Sequence, residues 1–199
     1  MSFSQVSRSI HRMVRRFRRS QDGSMSVETM LVLPMLIWCY LGTFVFFDGY
    51  RAQSVNIKAS YTIGDTLSRE SDYITPAYMD SLFALQQFLT NTIEPVRLRI
   101  TVFSFDAPNN RFLVRWSQVR GGTVAPLTNT TLAPLRTQLP SMTNGDIAIL
   151  TESWVGYEPD YQVGIEPFTF YDLVVTRPRY APQLCWNSLN NGDITTATC

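Results

Sequence analysis

Residues 29–47 read TMLVLPMLIWCYLGTFVFF, a run of 19 residues without a charged side chain. As an α-helix this run would be roughly 28 Å long, close to the bilayer hydrocarbon core of about 30 Å. The apolar region of a secretory signal peptide is shorter and ends at small residues, whereas the end of this run and the residues after it, 46–50, read FFDGY. We therefore expect a membrane-spanning helix, with a cleaved signal peptide and a buried core helix as weaker alternatives.

Arginines precede the apolar run, and Asp22 is the one acidic residue among them. Positive residues that flank a membrane span stay in the cytoplasm, so in a bacterium residues 48–199 would lie in the periplasm. A nucleic-acid-binding arm is the alternative role for these arginines. Their position directly before an apolar run favours a role in setting the membrane orientation, and we expect no nucleic-acid partner. The arginines to which we assign this role are Arg12, Arg15, Arg16, Arg18 and Arg19.

Composition excludes several kinds of catalytic site in residues 48–199. The only histidine, His11, lies in the basic leader, which excludes histidine-dependent triads and histidine-ligated zinc from the rest of the chain. Four acidic residues lie close together in sequence, but their spacing matches no metal-binding loop, and we expect them at solvated strand ends or turns: Glu152, Glu158, Asp160 and Glu166. We expect no enzymatic activity, no cofactor and no metal ion.

Aromatic residues are frequent between positions 154 and 171. We expect them to fill the core and pack on the sheet, with a docking surface as the alternative. They are Trp154, Tyr157, Tyr161, Phe168, Phe170 and Tyr171.

The three cysteines divide between the apolar run and the exported part. Cys39 lies inside the run, where we expect it to pack as a small apolar residue. Cys185 and Cys199 would close a loop of 15 residues, worth about 3 kcal/mol of stability in the loop-entropy model. An oxidising compartment favours their pairing, and two free thiols on a terminal tail are the alternative.

The stretch between the arginines and the apolar run is DGSMSVE, residues 22–28. Gly23 would let an extended backbone approach a protease closely. Glu28 would lie at the membrane edge, where a charge without a partner costs a few kcal/mol. Cleavage between Gly23 and Ser24 would create an ammonium group one helical turn from Glu28, in the same or a neighbouring subunit. Alternatively, Glu28 is an acid in the first helical turn, stabilised by the helix dipole.

This stretch resembles the type IV prepilin signal. In that signal a glycine is followed by four further residues and a glutamate, between a basic leader and an apolar helix. Residues 23–53, GSMSVETMLVLPMLIWCYLGTFVFFDGYRAQ, resemble the TadE/TadG-like family of tight-adherence (Tad) pilus assembly proteins, whose leucine-rich run contains a Leu-Pro, here Leu33-Pro34. The segments GDIAILTESWVGYEP and LVVTRPRYAP are similar to the ends of that family's domain. Ser24, rather than a phenylalanine, argues against the pseudopilins of type II secretion.

The resemblance implies a non-enzymatic pseudopilin or assembly component in the bacterial inner membrane. A prepilin peptidase would cut after Gly23, and the apolar helix would pack against other pilins, with Glu28 paired to a terminal amine and Pro34 bending the helix. Its partners would be pilins or pseudopilins, the assembly platform, the peptidase and membrane lipid. An uncleaved platform protein and an envelope-anchored adhesin or ligand-binding module are the alternatives.

The periodicity of the remaining residues predicts an α+β fold. A long helix would continue to about residue 69, because apolar residues recur every four positions: Val55, Ala59, Ile63 and Leu67. Thr75-Pro76 predicts the start of a second helix that ends near Thr92. Alternating residues then predict four strands of a mostly antiparallel sheet, which begin at Val96, Phe112, Asp146 and Phe168. We expect a basic cytoplasmic leader at 1–23, a transmembrane helix at 24–47 and a pilin-like periplasmic domain at 48–199.

Overall fold

The computed structural model describes residues 24–189 and 194–199. The predicted α+β class is confirmed, because a long helix and a second helix precede an antiparallel sheet of four strands. The elements are α1 (Ser24–Ser68), α2 (Pro76–Thr90), β1 (Val96–Asp106), β2 (Arg111–Arg120), α3 (Asn129–Leu132), a 3-10 helix (Ala133–Gln138), β3 (Ile147–Tyr157), β4 (Phe168–Thr176), β5 (Trp186–Asn187), a second 3-10 helix (Ile194–Thr196) and β6 (Ala197–Thr198). The described residues form two compact units that divide between Phe46 and Phe47.

The ends of α2 follow from its sequence. Thr75 caps the first turn, where its side chain accepts a hydrogen bond from the Tyr78 N–H at 3.3 Å, and Pro76 occupies a first-turn position that needs no N–H donor. Asn91 ends the helix in the left-handed conformation, at φ 45°, and its N–H bonds to the Gln87 carbonyl. The sequence predicted the start of α2 correctly and placed its end two residues too late.

The main sheet has the strand order β2-β1-β3-β4, and every neighbouring pair is antiparallel. One face packs against α1 and α2, with a core of Ile63, Leu67, Met79, Leu82, Leu98, Ile100, Val102 and Ile149. The segment that contains α3 and the 3-10 helix covers part of the opposite face, with a second core of Phe103, Leu127, Leu132, Leu139, Ala148 and Leu150. The rest of that opposite face, which we call the open face, carries Arg97, Arg99, Glu152, Trp154 and Tyr171.

The C-terminal segment is tied to the linker between α1 and α2. Cys185 and Cys199 form a disulfide with their Cα atoms 4.4 Å apart, in agreement with the expected pairing. On the linker, the N–H of Ile74 donates to the Cys185 carbonyl, and the Ile74 carbonyl accepts from the N–H of Asn187, both at 2.9 Å. The short β5–β6 pair was not predicted from sequence, since two-residue strands carry no alternation to detect.

Candidate functional site

The N-terminal part of α1 exposes its large apolar side chains to solvent. It is the one helix in the described part of the chain that is long and apolar enough to cross a membrane, a property that a membrane anchor and a signal sequence share. Soluble monomers rarely expose a continuous apolar surface of this kind, so this segment requires lipid or protein around it. The exposed side chains are Met25, Val27, Met30, Leu31, Val32, Leu33, Met35, Leu36, Ile37, Trp38 and Tyr40.

The predicted processing site lies at the start of this segment. Ser24 is the first residue of α1, whereas Gly23 and the basic leader, with its arginines, lie outside the described residues. Glu28 is exposed, and no described cation lies within ion-pair distance of it. Glu28 lies four residues after Ser24 on the described helix, and its alternative role beside the helix dipole stays a prediction. Pro34 lies inside α1, where its ring nitrogen has no hydrogen to donate.

A buried network of polar side chains joins the later part of α1 to α2 and the sheet. The side-chain carbonyl of Asn56 accepts hydrogen bonds from Gln86 Nε2 at 3.2 Å and from Ser153 Oγ at 3.1 Å. Its amide nitrogen donates to Asp172 Oδ2 on β4, and Ser60 Oγ lies 2.7 Å from Ser153 Oγ. Burial raises the pKa of Asp172, while the hydrogen bond from Asn56 opposes that rise. The network fixes which face of α1 meets the sheet.

Glu152 on β3 is fully buried and ion-paired on the open face. Arg99 donates from Nε and Nη2 to the two carboxylate oxygens of Glu152, each at 2.7 Å, and Tyr171 donates from its hydroxyl at 2.8 Å. Burial, followed by the nearby Glu152 carboxylate, raises the pKa of Tyr171. The prediction that Glu152 is solvated is therefore wrong, because the strand register places it directly opposite Arg99.

The other acidic residues singled out from the sequence do not form a site with Glu152. Glu158, Asp160 and Glu166 are exposed, in agreement with the prediction for them. No group of three histidine, cysteine or acidic residues that could hold a metal ion occurs in residues 24–189 and 194–199.

Five of the six aromatic residues singled out between 154 and 171 contact one another on β3 and β4, and Tyr161 lies in the loop between these strands. Trp154 stacks on Tyr171 with ring centroids 5.2 Å apart, and Phe168 meets Phe170 edge to face at 4.8 Å. Tyr157 is the member of the group that is buried, and the Tyr171 and Phe168 side chains are more than two-fifths exposed. The five residues on β3 and β4 therefore pack on the sheet as expected, only Tyr157 among them is buried, and the prediction is wrong for the exposed Tyr161.

Comparison of the chain with protein-family models, with curated protein sequences and with solved structures gives no match. The resemblance to Tad pilus proteins stays a prediction from the sequence motifs.

Proposed function

We propose that this chain is a non-enzymatic assembly component of a Tad-type pilus, anchored in the bacterial inner membrane through residues 24–47. The observation that carries the proposal is a single helix, α1, with two kinds of surface. Its N-terminal side chains are apolar and exposed, whereas its later residues pack on an antiparallel sheet. A membrane-embedded helix that continues into an α+β domain is what the resemblance to pilin-like proteins implies.

The exported location of the domain has independent support. The domain contains a disulfide, Cys185–Cys199, and such bonds persist in oxidising compartments such as the periplasm. The five arginines assigned to topology, Arg12 to Arg19, would hold the N-terminus on the cytoplasmic side. In this arrangement the domain meets periplasmic partners. The apolar segment is surrounded by lipid, by other pilins and by the assembly platform.

The mechanism that we propose is the pairing of the Glu28 carboxylate with a terminal amine that cleavage creates. A carboxylate at the membrane edge is costly unless it is paired, and none of the described cations pairs with it. Cleavage by a prepilin peptidase between Gly23 and Ser24 would supply the missing cation as a new terminal amine. In an assembled fibre or platform, the amine of one subunit would pair with Glu28 of the same or a neighbouring subunit.

The deciding experiment is to determine the N-terminal residue of the membrane-extracted chain, by intact mass and terminal peptide sequencing, with and without the prepilin peptidase of the host. We expect a chain that begins at Ser24 only when the peptidase is present, and an uncut chain for Gly23→Val. A chain that keeps its leader in both strains would overturn the cleavage mechanism and leave an uncleaved membrane anchor.

A second experiment separates assembly from ligand binding. Glu28→Ala should insert into the membrane normally but abolish piliation, because the terminal amine loses its partner. Glu166→Ala, which removes an exposed acid from a loop of the domain, is the matched control and should leave piliation unchanged. Normal piliation with Glu28→Ala would contradict the assembly role and favour an envelope-anchored adhesin.

A further inference from the structure

Two arginines on the open face, Arg97 and Arg99, lie two positions apart on β1 but differ in their partners. Arg99 has three hydrogen bonds, since it donates twice to Glu152 and also donates from Nη1 to the Ala125 carbonyl at 2.9 Å. Arg97 makes no hydrogen bond or ion pair with a described residue, and its Nε is buried without an acceptor. Arg97 therefore carries a positive charge without an acceptor on the described chain, and an acceptor from outside would be bound favourably by the part of its guanidinium that lines the cleft described below.

Arg97 lines a cleft of about 610 Å³ at the end of the sheet where β1 begins and β3 ends. Two consecutive glycines form one wall, with positive φ angles of 78° at Gly121 and 107° at Gly122. A Cβ atom on Gly121 would lie 2.2 Å from the Val96 carbonyl oxygen, and one on Gly122 would lie 3.2 Å from Arg97 Cδ. Glycine is therefore needed for the backbone to pass this close to the stem of Arg97.

The guanidinium of Arg97 lies at the outer limit of cation–π distance from Trp154, whose ring is closer to Arg99, at 5.0 Å from its Cζ. Arg97 Cζ lies 6.0 Å from the ring centroid of Trp154, which faces it directly across the β1–β3 pair. Trp154 in turn stacks on Tyr171 of β4.

The charges that line the cleft select the kind of ligand. Arg97 and Glu94 are its charged lining residues, and no described cation lies within 4.0 Å of the Glu94 carboxylate. A guanidinium offers parallel N–H donors whose spacing matches the two oxygens of a carboxylate. The negative charge of Glu94 repels a doubly charged phosphate more strongly than a singly charged carboxylate.

We propose that Arg97 and this cleft form a binding site for a carboxylate-bearing ligand, either a small organic acid or the C-terminal carboxylate of a peptide. The Arg97 guanidinium would donate to the carboxylate oxygens, and the glycine wall would leave room for the group attached to the carboxylate. This site lies on the sheet rather than on the apolar helix, and the proposal does not depend on the role in pilus assembly.

The test uses the full chain in detergent micelles, titrated with four probes in a calorimeter: N-acetylalanine, the acetylated tripeptide of alanine with a free carboxylate, the amide of that tripeptide, and inorganic phosphate. The Nε–H resonance of Arg97 in the ¹⁵N-labelled chain localises the binding. We expect saturable binding of at least one free carboxylate, with a shift at Arg97, and none of the amide. Tighter binding of the tripeptide than of N-acetylalanine would identify a peptide terminus as the ligand. Tighter binding of N-acetylalanine would identify a small organic acid.

Variants make the test specific. Arg97→Lys should weaken binding by about tenfold because it loses the paired donors, whereas Glu94→Gln should strengthen it roughly fivefold by removing the repulsive charge. Arg111→Gln, which removes one exposed cation from the β1–β2 hairpin, is the matched control and should bind as the wild type does. Absence of saturable binding, equal binding of the amide, or phosphate binding as tight as that of the carboxylates would overturn the proposal.

Discussion

Asn56, on the long helix α1, donates a hydrogen bond from its side-chain amide to the carboxylate of Asp172 on β4. The same side chain accepts from Gln86 on α2 and from Ser153 on β3, so one fully buried residue contacts three other elements. Apolar packing alone would tolerate small shifts of a helix over a sheet. These bonds are directional, and they select one position of α1.

Asn56→Leu should therefore destabilise the domain, although leucine has a similar size. The substitution leaves Gln86 Nε2 and Asp172 without their partner and takes from Ser153 one of its two partners, since Ser60 remains beside it. We expect a loss of about 3 kcal/mol in the free energy of unfolding. Urea unfolding of the full chain in micelles, followed by near-ultraviolet circular dichroism, measures this loss. Gln53→Leu, at an exposed position of the same helix, is the control. Equal stability of the two variants would show that the network does not position α1.

Asp172 should make the stability of the domain depend on pH. Burial raises its pKa above the ordinary value of 3.8, so between that value and the folded-state pKa the folded chain holds a proton that the unfolded chain has released. The free energy of unfolding should therefore fall as the pH rises through this window, and then level off. Asp172→Asn should remove this fall, because its carbonyl oxygen still accepts from Asn56 but does not ionise.

The measurement for Asp172 is a series of urea unfolding curves from acidic to neutral pH. Asp160→Asn, at an exposed loop position, is the control and should keep the fall. A wild-type chain whose stability rises over the same window, with no change on Asp172→Asn, would contradict the prediction.

The sequence predicted those parts of the fold that depend on local periodicity. Ala59, Ile63 and Leu67 lie on the buried face of α1 as their spacing indicated, and β4 has the predicted bounds, Phe168–Thr176. Two of the five members of the network around Asn56 could also be placed from the sequence, since Ser60 follows Asn56 at helical spacing on the buried face. Its other members come from α2 and from two distant strands, β3 and β4, and no local pattern reveals which elements are neighbours.

The burial of Glu152 could not be predicted for the same reason. Its partner, Arg99, lies 53 positions away, and the two meet only because β3 pairs with β1 in one particular register. The one local signal was that both charged residues occupy positions inside strands rather than at strand ends. A positive charge inside one strand and a negative charge inside another indicate a buried pair only after it is known that the two strands are neighbours.

Arg99→Met should destabilise the domain strongly, because it leaves the Glu152 carboxylate buried without a cation. Loss of one partner from a buried ion pair typically costs about 3–5 kcal/mol. Arg111→Met, which breaks the exposed pair with Asp106, should cost far less, because solvent screens that pair. Urea unfolding of the full chain in micelles compares the two. Similar losses for both variants would show that the Arg99–Glu152 pair is no stronger than a surface pair.

The disulfide should contribute measurably to stability. Reduction, or the paired change of Cys185 and Cys199 to serine, frees a loop of 15 residues and should lower the free energy of unfolding by about 3 kcal/mol. The C-terminal segment would also lose its fixed place beside Ile74. Hydrogen exchange at the Ile74 amide, which donates to the Cys185 carbonyl, should therefore become faster. Cys39→Ser is the control, and an unchanged stability after reduction would contradict the prediction.

Cys39 provides a natural reporter for the membrane span. It is the free cysteine of the described chain and is exposed on the apolar part of α1, so a protein outside a membrane would react there readily with a polar maleimide. If residues 29–47 cross the bilayer, a membrane-impermeant maleimide should label Cys39 only after detergent dissolves the membrane. Ser71→Cys, at an exposed position after α1, should be labelled in intact spheroplasts and serves as the accessible control. Equally fast labelling of both positions before detergent is added would exclude a bilayer-embedded helix.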